Sequence, residues 1–306
     1  MPAKITHGAG NATFAGSLGG VLAPLTAPFD GDERLALPQF RENIARYNQT
    51  QLSGYVINGS TGESVLLRWS EVEELWAAAR EEIAPGKLLI AGTGAESTGE
   101  TVEITKRAAE IGCDAALVRT PSFYKPQLTD ELQAEHFVRV ADASPIPVVI
   151  YSVPNFTGYT AEAPLVERLA CHPNIIGMKD SSGDAARAQR ILAAVPAEFR
   201  LLVGSATLLA ATVRAGAAGA ILALACVFPE LCAAIYEAAK QGDTSRSGEL
   251  QEKLTGASAM IMRHGIPGIK VAMELRGYCG GPARRPLLPL TAAAKAEIEA
   301  VMFSTG

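Results

Sequence analysis

Residues 148–179 read VVIYSVPNFTGYTAEAPLVERLACHPNIIGMK. This stretch opens with a short apolar run at 148–151, continues through turn residues and a segment with helical spacing, and closes with a second apolar run at 175–179. The order strand, helix, strand is typical of a βα unit with two parallel strands. Because both runs are apolar up to their last residue, they predict strands that are covered on both faces.

The same alternation runs through the first two-thirds of the chain. The runs that predict strands are 20–26, 54–58, 88–92, 115–119, 148–151, 175–179, 201–205 and 220–223. Eight successive βα units favour an α/β fold of the closed (β/α)8 TIM-barrel type, and a doubly wound parallel sheet is the alternative. After the second strand, Ser70 and Glu73 fit a capping box at the start of a helix, and the apolar stripe of that helix predicts a core position for Trp76.

Beyond the eighth strand the alternation stops. Residues 229–239, 246–263, 269–276 and 291–302 predict helices. The predicted division is therefore an N-terminal lead-in at 1–16, a (β/α)8 barrel at 17–227 and a C-terminal helical extension at 228–306. Extra helices of barrel enzymes often place apolar faces between subunits, so we expect a homo-oligomer.

Composition narrows the class of partner. The chain has 306 residues, 48% of them hydrophobic and 19% charged, which is enough apolar side chain for a sizeable core. With 27 Lys and Arg against 32 Asp and Glu, the net charge is −5, and there is no dense basic run for nucleic acid or an anionic membrane. These numbers favour a small-molecule partner.

The cysteines and histidines predict neither disulfides nor a metal site. Five scattered cysteines include no C-x-x-C pair, and the four histidines lack ligand spacing. Residues 1–16 lack the basic and apolar regions of a secretory signal, and Arg214, Gly216 and Gly219 interrupt the longest apolar stretch, 206–228. We therefore expect a reduced, cytoplasmic protein without a membrane span.

Two predicted strands end in a reactive side chain, and barrel enzymes carry their chemistry at the carboxyl ends of the strands. The fifth strand ends at Tyr151 and the sixth at Lys179. Burial disfavours the ammonium form of a lysine, so Lys179 is a candidate for Schiff-base formation, and the phenol of Tyr151 could transfer protons to and from a carbinolamine. The alternative is a lysine that reaches solvent or pairs with Asp180.

Small residues after two other strands indicate a place for an anion. The stretch Gly59-Ser60-Thr61-Gly62-Glu63 follows the second strand, where backbone N–H groups and two hydroxyls could bind a carboxylate or relay a proton. A plain turn is the alternative. Gly204 and Ser205 follow the seventh strand and would allow close approach of a substrate.

Together these motifs resemble one known family. The stretches 59–63, 151–154 with Thr157-Gly158, 177–180 and Gly204-Ser205 are similar, in order and spacing, to those of the dihydrodipicolinate synthase and N-acetylneuraminate lyase family of class I pyruvate aldolases. The resemblance implies a (β/α)8 barrel, a homotetramer, and no metal or organic cofactor beyond a covalent imine with Lys179. It also implies Tyr151 as the proton-transferring residue and Thr61 as the relay hydroxyl. The implied substrate-binding residues are Ser60, Thr61, Phe156, Ser181, Gly204 and Ser205.

The resemblance leaves the second substrate open. Phe156 stands where the synthases of this family carry an arginine that binds a second carboxylate, and Phe123 stands where the family often has a tyrosine from a neighbouring subunit, with Tyr124 next to it. Residues 151–154, 265–270 and 277–282 resemble the 4-hydroxy-2-oxoglutarate aldolase branch. We expect cleavage of 4-hydroxy-2-oxoglutarate to pyruvate and glyoxylate, with Tyr151 and Thr61 removing the proton of the C4 hydroxyl.

Two alternatives stay open. The first is a 4-hydroxy-tetrahydrodipicolinate synthase that condenses pyruvate with aspartate semialdehyde. The second is a barrel that binds a keto acid without turning it over, because Phe123 interrupts the usual proton relay.

Overall fold

Eight parallel strands close into a barrel in the structure, a computed structural model that describes residues 16–305, with side chains through residue 302. Each strand pairs with the next one along the chain, and the last pairs with the first. The predicted (β/α)8 barrel is confirmed, and the doubly wound sheet is excluded. The strands are β1 (Gly20–Pro24), β2 (Gly54–Ile57), β3 (Leu88–Gly92), β4 (Ala115–Arg119), β5 (Val148–Ser152), β6 (Ile175–Asp180), β7 (Arg200–Val203) and β8 (Gly219–Ile221).

Helices connect the strands and continue after the last one. They are α1 (Leu37–Tyr47), α2 (Trp69–Glu82), α3 (Thr98–Ile111), α4 (Asp130–Ala143), α5 (Pro154–Thr157), α6 (Ala163–Ala170), α7 (Ala185–Ala194), α8 (Leu209–Arg214), α9 (Pro229–Lys240), α10 (Thr244–Arg263), α11 (Gly265–Leu275) and α12 (Ala292–Thr305). The last four match the predicted C-terminal helices within a few residues. From residue 16 to residue 305, no helix combines the length and the apolarity that crossing a membrane requires.

The proposed division into three segments stays a prediction. Residues 1–15 of the lead-in lie outside the described residues. Helix α9 packs against β1 and α8 as well as against α10, so it joins the barrel to the helices that follow.

The strands are buried on both faces, as their apolar runs predict. Inside the barrel, each strand contributes one central side chain to a single cluster: Leu22, Val56, Ile90, Leu117, Val149, Ile176, Leu202 and Ile221. Alternate residues face outward, and Ile150 and Met178 pack there with Phe137 and Ile191 of the surrounding helices. The interior is therefore a packed core, and space for a ligand is left only toward the strand ends.

Strand β6 contains a bulge that the sequence did not reveal. Val148 pairs with Ile175, but the next residue, Val149, pairs with Gly177, so Ile176 is an extra residue in the ladder. Because side chains alternate along a strand, the extra residue restarts the alternation. A Cβ atom on Gly177 would overlap the carbonyl oxygen of Arg200, so the bulge requires glycine there.

The helix that follows β2 begins one residue before the predicted start. Helix α2 starts at Trp69 with Arg68 as its N-cap, and Glu71 accepts the backbone N–H of Arg68 at 2.8 Å. The predicted capping box of Ser70 and Glu73 is therefore wrong, because the acidic residue three positions after the cap is Glu71. The predicted apolar stripe is confirmed, and Trp76 is fully buried.

Candidate active site

Tyr151 and Lys179 lie side by side at the carboxyl ends of β5 and β6. The two residues are direct partners in the parallel ladder, and Lys179 Nζ lies 4.3 Å from the centre of the Tyr151 ring. Their exposed fractions are 5% and 4%. The structure thus brings together the two reactive side chains that the sequence predicts at neighbouring strand ends.

Lys179 has no acidic partner among residues 16–302, whereas its neighbour Asp180 is fully occupied. Asp180 Oδ1 lies 2.5 Å from Arg187 Nη1, and its carboxylate also accepts the backbone N–H and the hydroxyl of Ser182, both at 3.0 Å. The alternative of a Lys179–Asp180 pair is therefore wrong.

A thiol close to Lys179 adds no negative charge. Cys226 is fully buried, and this burial raises the pKa of its thiol to about 12, although the nearby Lys179 acts in the opposite direction. At neutral pH the thiol is protonated. The Cys226 thiol therefore gives Lys179 no negatively charged partner.

The Gly59–Glu63 stretch forms a turn of 3₁₀ helix, Ser60–Gly62, directly after β2. Ser60 Oγ lies 3.3 Å from the hydroxyl of Tyr151, within hydrogen-bond distance. Thr61 is buried in the same turn and lines the same cavity as Tyr151 and Lys179. The hydroxyl in contact with Tyr151 thus belongs to Ser60, and the relay role of Thr61 stays a prediction.

A cavity of about 370 Å³ opens above Lys179. Its polar wall comes from the strand ends and the loops that follow them: Ser60, Thr61, Tyr151, Lys179, Ser181, Ser182, Gly204 and Ser205. Its other wall is apolar and consists of Val153, Phe156, Ile221, Leu224, Met262, Ile266 and Ile269. Lys179 is the one Lys or Arg among the residues known to line this cavity, which therefore suits a small ligand with an apolar portion.

All of the predicted substrate-binding residues line this cavity. Ser181 follows β6, and its backbone N–H donates to Ser152 O at 2.9 Å. A Cβ atom on Gly204 would overlap Ser181 Oγ, which shows why glycine follows β7. Phe156 lies at the rim with 70% of its side chain exposed. Phe123 and Tyr124 lie in the loop after β4, where both side chains are exposed and their rings pack edge to face.

Sequence reasoning missed the part of the wall that comes from the C-terminal helices. Ser258 and Met262 of α10 and Ile266 and Ile269 of α11 all line the cavity. The motif at 265–270 carried this signal, but no periodicity or spacing connects it to strand ends that lie far away in sequence. In the part of the chain from residue 16 onward, no three His, Cys, Asp or Glu side chains are grouped as metal ligands.

Comparison with known proteins gives the same family for nearly the whole chain. Residues 17–304 match the model of the dihydrodipicolinate synthetase family. A curated relative, the 4-hydroxy-tetrahydrodipicolinate synthase of Methanoculleus marisnigri, is 35% identical over 94% of this chain and 99% of its own length. The synthase 1 of the same name from Streptomyces coelicolor is 35% identical over 87% of both chains.

Solved structures resemble the fold closely. The chloride-inhibited dihydrodipicolinate synthase of Acinetobacter baumannii, complexed with pyruvate, is 26% identical, covers 94% of this chain and 99% of its own, and superposes with a TM-score of 0.90. The dihydrodipicolinate synthase of Aquifex aeolicus is 28% identical, covers 94% and 98% of the two chains, and gives a TM-score of 0.88.

Proposed function

The chain belongs to the dihydrodipicolinate synthetase family, and from this premise we propose that it is a Schiff-base lyase in which Lys179 forms an imine with pyruvate. The position of Lys179 carries this proposal, because the amine is buried against the Tyr151 ring and has no acidic partner in residues 16–302. A solved relative that is complexed with pyruvate supports the choice of keto acid.

In this scheme Lys179 Nζ adds to the C2 ketone of pyruvate, and loss of water leaves a protonated imine. Loss of a C3 proton gives the enamine, whose C3 attacks the aldehyde carbonyl to form the new carbon–carbon bond. In the opposite direction the C4 hydroxyl loses its proton as the C3–C4 bond breaks. Tyr151 supplies and accepts these protons, and Ser60, at 3.3 Å, is the hydroxyl placed to relay them.

The keto-acid carboxylate would lie at the Ser60–Gly62 turn. Thr61 lines the cavity beside Lys179, so its hydroxyl and the backbone N–H groups of the turn are the groups proposed to bind the carboxylate. In this proposal Ser60 takes part in proton transfer and Thr61 binds the carboxylate. From the sequence alone, both roles are assigned to Thr61.

Sodium borohydride reduction in the presence of pyruvate tests the imine. The wild-type protein should gain the mass of a reduced pyruvate adduct on the peptide that contains Lys179, and Lys179→Ala should gain none. Lys240→Ala on the surface helix α9 is the control and should be trapped like the wild type. A wild-type protein that stays unmodified after reduction would overturn the proposal.

For the aldehyde, the names of the relatives favour synthase activity. Curated relatives that cover most of this chain are named 4-hydroxy-tetrahydrodipicolinate synthase, which supports condensation of pyruvate with aspartate semialdehyde. This reading has more support than cleavage of 4-hydroxy-2-oxoglutarate to pyruvate and glyoxylate, which rests on motif resemblance and on Phe156 in place of arginine.

One pair of assays separates these two activities. Pyruvate consumption with aspartate semialdehyde measures the synthase reaction, and pyruvate release from 4-hydroxy-2-oxoglutarate measures the aldolase reaction. The activity with the larger kcat/KM is the assigned one. A protein that is trapped by borohydride with pyruvate but is inactive in both assays would instead fit the keto-acid-binding barrel.

Self-association is part of the proposal. Val65, Trp69, Phe123 and Tyr124 are exposed apolar or aromatic residues in the loops and the helix start after β2 and β4. Such a patch suits a contact between copies of the chain, in line with the expected homotetramer. Sedimentation of the wild type and of Phe123→Ser with Tyr124→Ser would show whether the patch joins subunits. A cytoplasmic location stays a prediction.

A further inference from the structure

A buried ion pair connects the turn that carries Ser60 to the C-terminal helices. Glu63, the last residue of the Gly59–Glu63 stretch, contacts Lys270 of α11 with an Oε1–Nζ distance of 2.5 Å. The side chains of Glu63 and Lys270 are 0% and 1% exposed. Neither residue lines the cavity above Lys179, so neither has a part in the chemistry proposed above.

Lys270 contacts two backbone carbonyls as well as Glu63. Besides Glu63, its ammonium donates to Ala27 O and Pro282 O, both at 2.8 Å. The ammonium thus has two carbonyl acceptors in addition to its ion pair with Glu63. The nitrogen also lies 4.6 Å from the centre of the Phe29 ring. Lys270 therefore fixes Glu63 relative to the loop after β1 and to the segment after α11.

Arg284 contacts Glu63 and the residues that follow it, up to the start of α2. Its backbone N–H donates to Glu63 Oε2 at 2.8 Å, and its guanidinium donates to Leu66 O at 2.9 Å. Two further bonds of 2.7 Å join the guanidinium to Glu71 at the start of α2, and they hold the pKa of Glu71 below its usual value. Residues 63–71 are thus tied to the C-terminal segment at three places.

Glu63 is also coupled directly to Ser60. The backbone N–H of Glu63 donates to Ser60 O at 3.2 Å, which closes the 3₁₀ turn. Glu63 has a left-handed backbone, with φ of 59°, a conformation that a non-glycine residue keeps only when its surroundings hold it. The ion pair and the Arg284 N–H hold the Glu63 side chain, so a change in the pair is expected to shift the turn that carries the Ser60 hydroxyl.

We propose that Glu63 and Lys270 are positioning residues that hold the Ser60 hydroxyl against Tyr151, so that the C-terminal helices control proton transfer in the barrel. This inference rests on the proposed function. It assigns the pair to the proton-transfer steps, because Lys179 stands on β6, outside the turn, whereas Ser60 in the turn contacts the Tyr151 hydroxyl. Thr61 belongs to the same turn, so a change in the KM for pyruvate is measured separately from kcat.

The variants are Glu63→Gln, which removes the charge, Glu63→Asp, which withdraws the carboxylate by one methylene, and Glu63→Gln with Lys270→Met, which leaves no unpaired buried charge. Asp114→Asn and Lys87→Met are matched controls at the amino ends of the strands. Asp114 there accepts the N–H of Leu89 at 2.7 Å, and Lys87 donates to Thr50 O at 2.8 Å.

Three measurements separate positioning from mere stability. Borohydride trapping with pyruvate reports imine formation, NMR exchange of the pyruvate methyl protons in D₂O reports proton transfer, and steady-state turnover gives kcat and KM. At saturating pyruvate the Glu63 variants should be trapped like the wild type, while methyl exchange and kcat fall by up to roughly tenfold, the loss expected when the Ser60 hydroxyl is removed. The controls should lower thermal stability and leave methyl exchange unchanged.

The decisive comparison adds Ser60→Ala to Glu63→Gln. If the pair acts through Ser60, the double variant exchanges methyl protons no more slowly than the slower single variant. Additive losses, or Glu63 variants that exchange at the wild-type rate, would overturn the inference while leaving the imine intact. A wild-type protein that forms no imine at all would instead overturn the proposed function.

Discussion

Lys179 and Asp180 are consecutive in β6, and their side chains lie on opposite faces of the strand. Lys179 faces the barrel interior beside Tyr151, and Asp180 faces the helix layer, where Arg187 binds it. The bulge at Ile176 determines this arrangement. Without the extra residue, the alternation that starts at Ile175 would turn Lys179 outward and Asp180 inward.

Substitution of the bulge glycine should therefore impair turnover. In Gly177→Ala, the new methyl group overlaps Arg200 O, so β6 must shift against β7 and move Lys179. We expect a stability loss of about 1–3 kcal/mol and a fall in kcat of roughly 100-fold. Gly256→Ala is the control, because nothing lies within 4 Å of a Cβ at this position of α10. Normal kcat in Gly177→Ala would show that the bulge does not orient the lysine.

Removal of the Tyr151 hydroxyl should slow proton transfer, including that of the carbinolamine, but should still let the imine accumulate during a long incubation with pyruvate. Tyr151→Phe keeps the ring that packs against Lys179 Nζ but loses the contact with Ser60 Oγ. We expect kcat to fall by roughly 10²–10⁴-fold, while borohydride still traps the pyruvate adduct. Tyr159→Phe, on the opposite side of α5, is the control. A variant with normal kcat would assign proton transfer to another group.

The two hydroxyls of the 3₁₀ turn should have separable effects. Ser60→Ala removes one hydrogen-bond partner of Tyr151 and should lower kcat by roughly tenfold, about 1.4 kcal/mol, with little change in the KM for pyruvate. Thr61→Val should instead raise that KM and leave kcat nearly unchanged. Steady-state kinetics with pyruvate as the varied substrate measures both, and the reverse pattern would return the relay to Thr61.

An arginine at the rim should favour acidic aldehydes. Among residues known to line the cavity, Lys179 is the one Lys or Arg, and the exposed Phe156 stands at its entrance. Phe156→Arg should raise kcat/KM for an aldehyde with a carboxylate by roughly tenfold relative to propanal, about 1.4 kcal/mol. Phe156→Gln is the uncharged control. An equal effect of both substitutions would mean that size, and not charge, sets the preference.

Protonation of Glu96 at low pH should weaken its hydrogen bonds to the loop after β4 and lower the stability of the protein. Burial acts to raise the pKa of Glu96, but the N–H groups of Ser122 and Phe123 and the Arg119 guanidinium lower it overall, from its usual 4.5 to about 2. Because the folded pKa is depressed, the stabilisation is complete above pH 4.5 and is lost as pH falls toward 2.

Urea unfolding at pH 6 and at pH 3.5 measures this loss. The wild type should lose about 1 kcal/mol or less between these pH values relative to Glu96→Gln, since Glu96 is partly exposed and screened by solvent. Glu135→Gln on the outer face of α4 is the control. Identical pH profiles of the wild type and Glu96→Gln would contradict the assignment.

The strands were predictable because each is a continuous apolar run between turn residues. β3 and β4 begin and end at the predicted residues, and the others differ by a few positions at their ends. The bulge was not predictable, because Ile175 and Ile176 are equally apolar and only the pairing with Val148 and Val149 distinguishes them. The start of α2 was predicted one residue late because Ser70 and Glu73 match the sequence pattern of a capping box. In the structure, Arg68 and Glu71 form that box instead.

The reactive residues were predictable for a different reason. A βα repeat places Tyr151 and Lys179 at one end of neighbouring strands, whatever the loops do. The partners of Glu63 were not, because Lys270 and Arg284 lie more than 200 residues away in sequence and their contacts depend on how the last helices fold back. Glu63 and Lys270 stand in recognisable motifs, but a sequence motif does not show which residues it contacts in the fold.

Lys270 and Arg284 follow all eight strands in the sequence, so they are synthesised after the barrel strands. A chain that leaves the ribosome has all eight strands outside the exit tunnel before either residue emerges. Until then Glu63 lacks both its ammonium and its N–H donor, so neither contact holds the turn after β2 in place. We therefore expect the Ser60 hydroxyl to reach its position against Tyr151 only after the C-terminal helices have packed on the barrel.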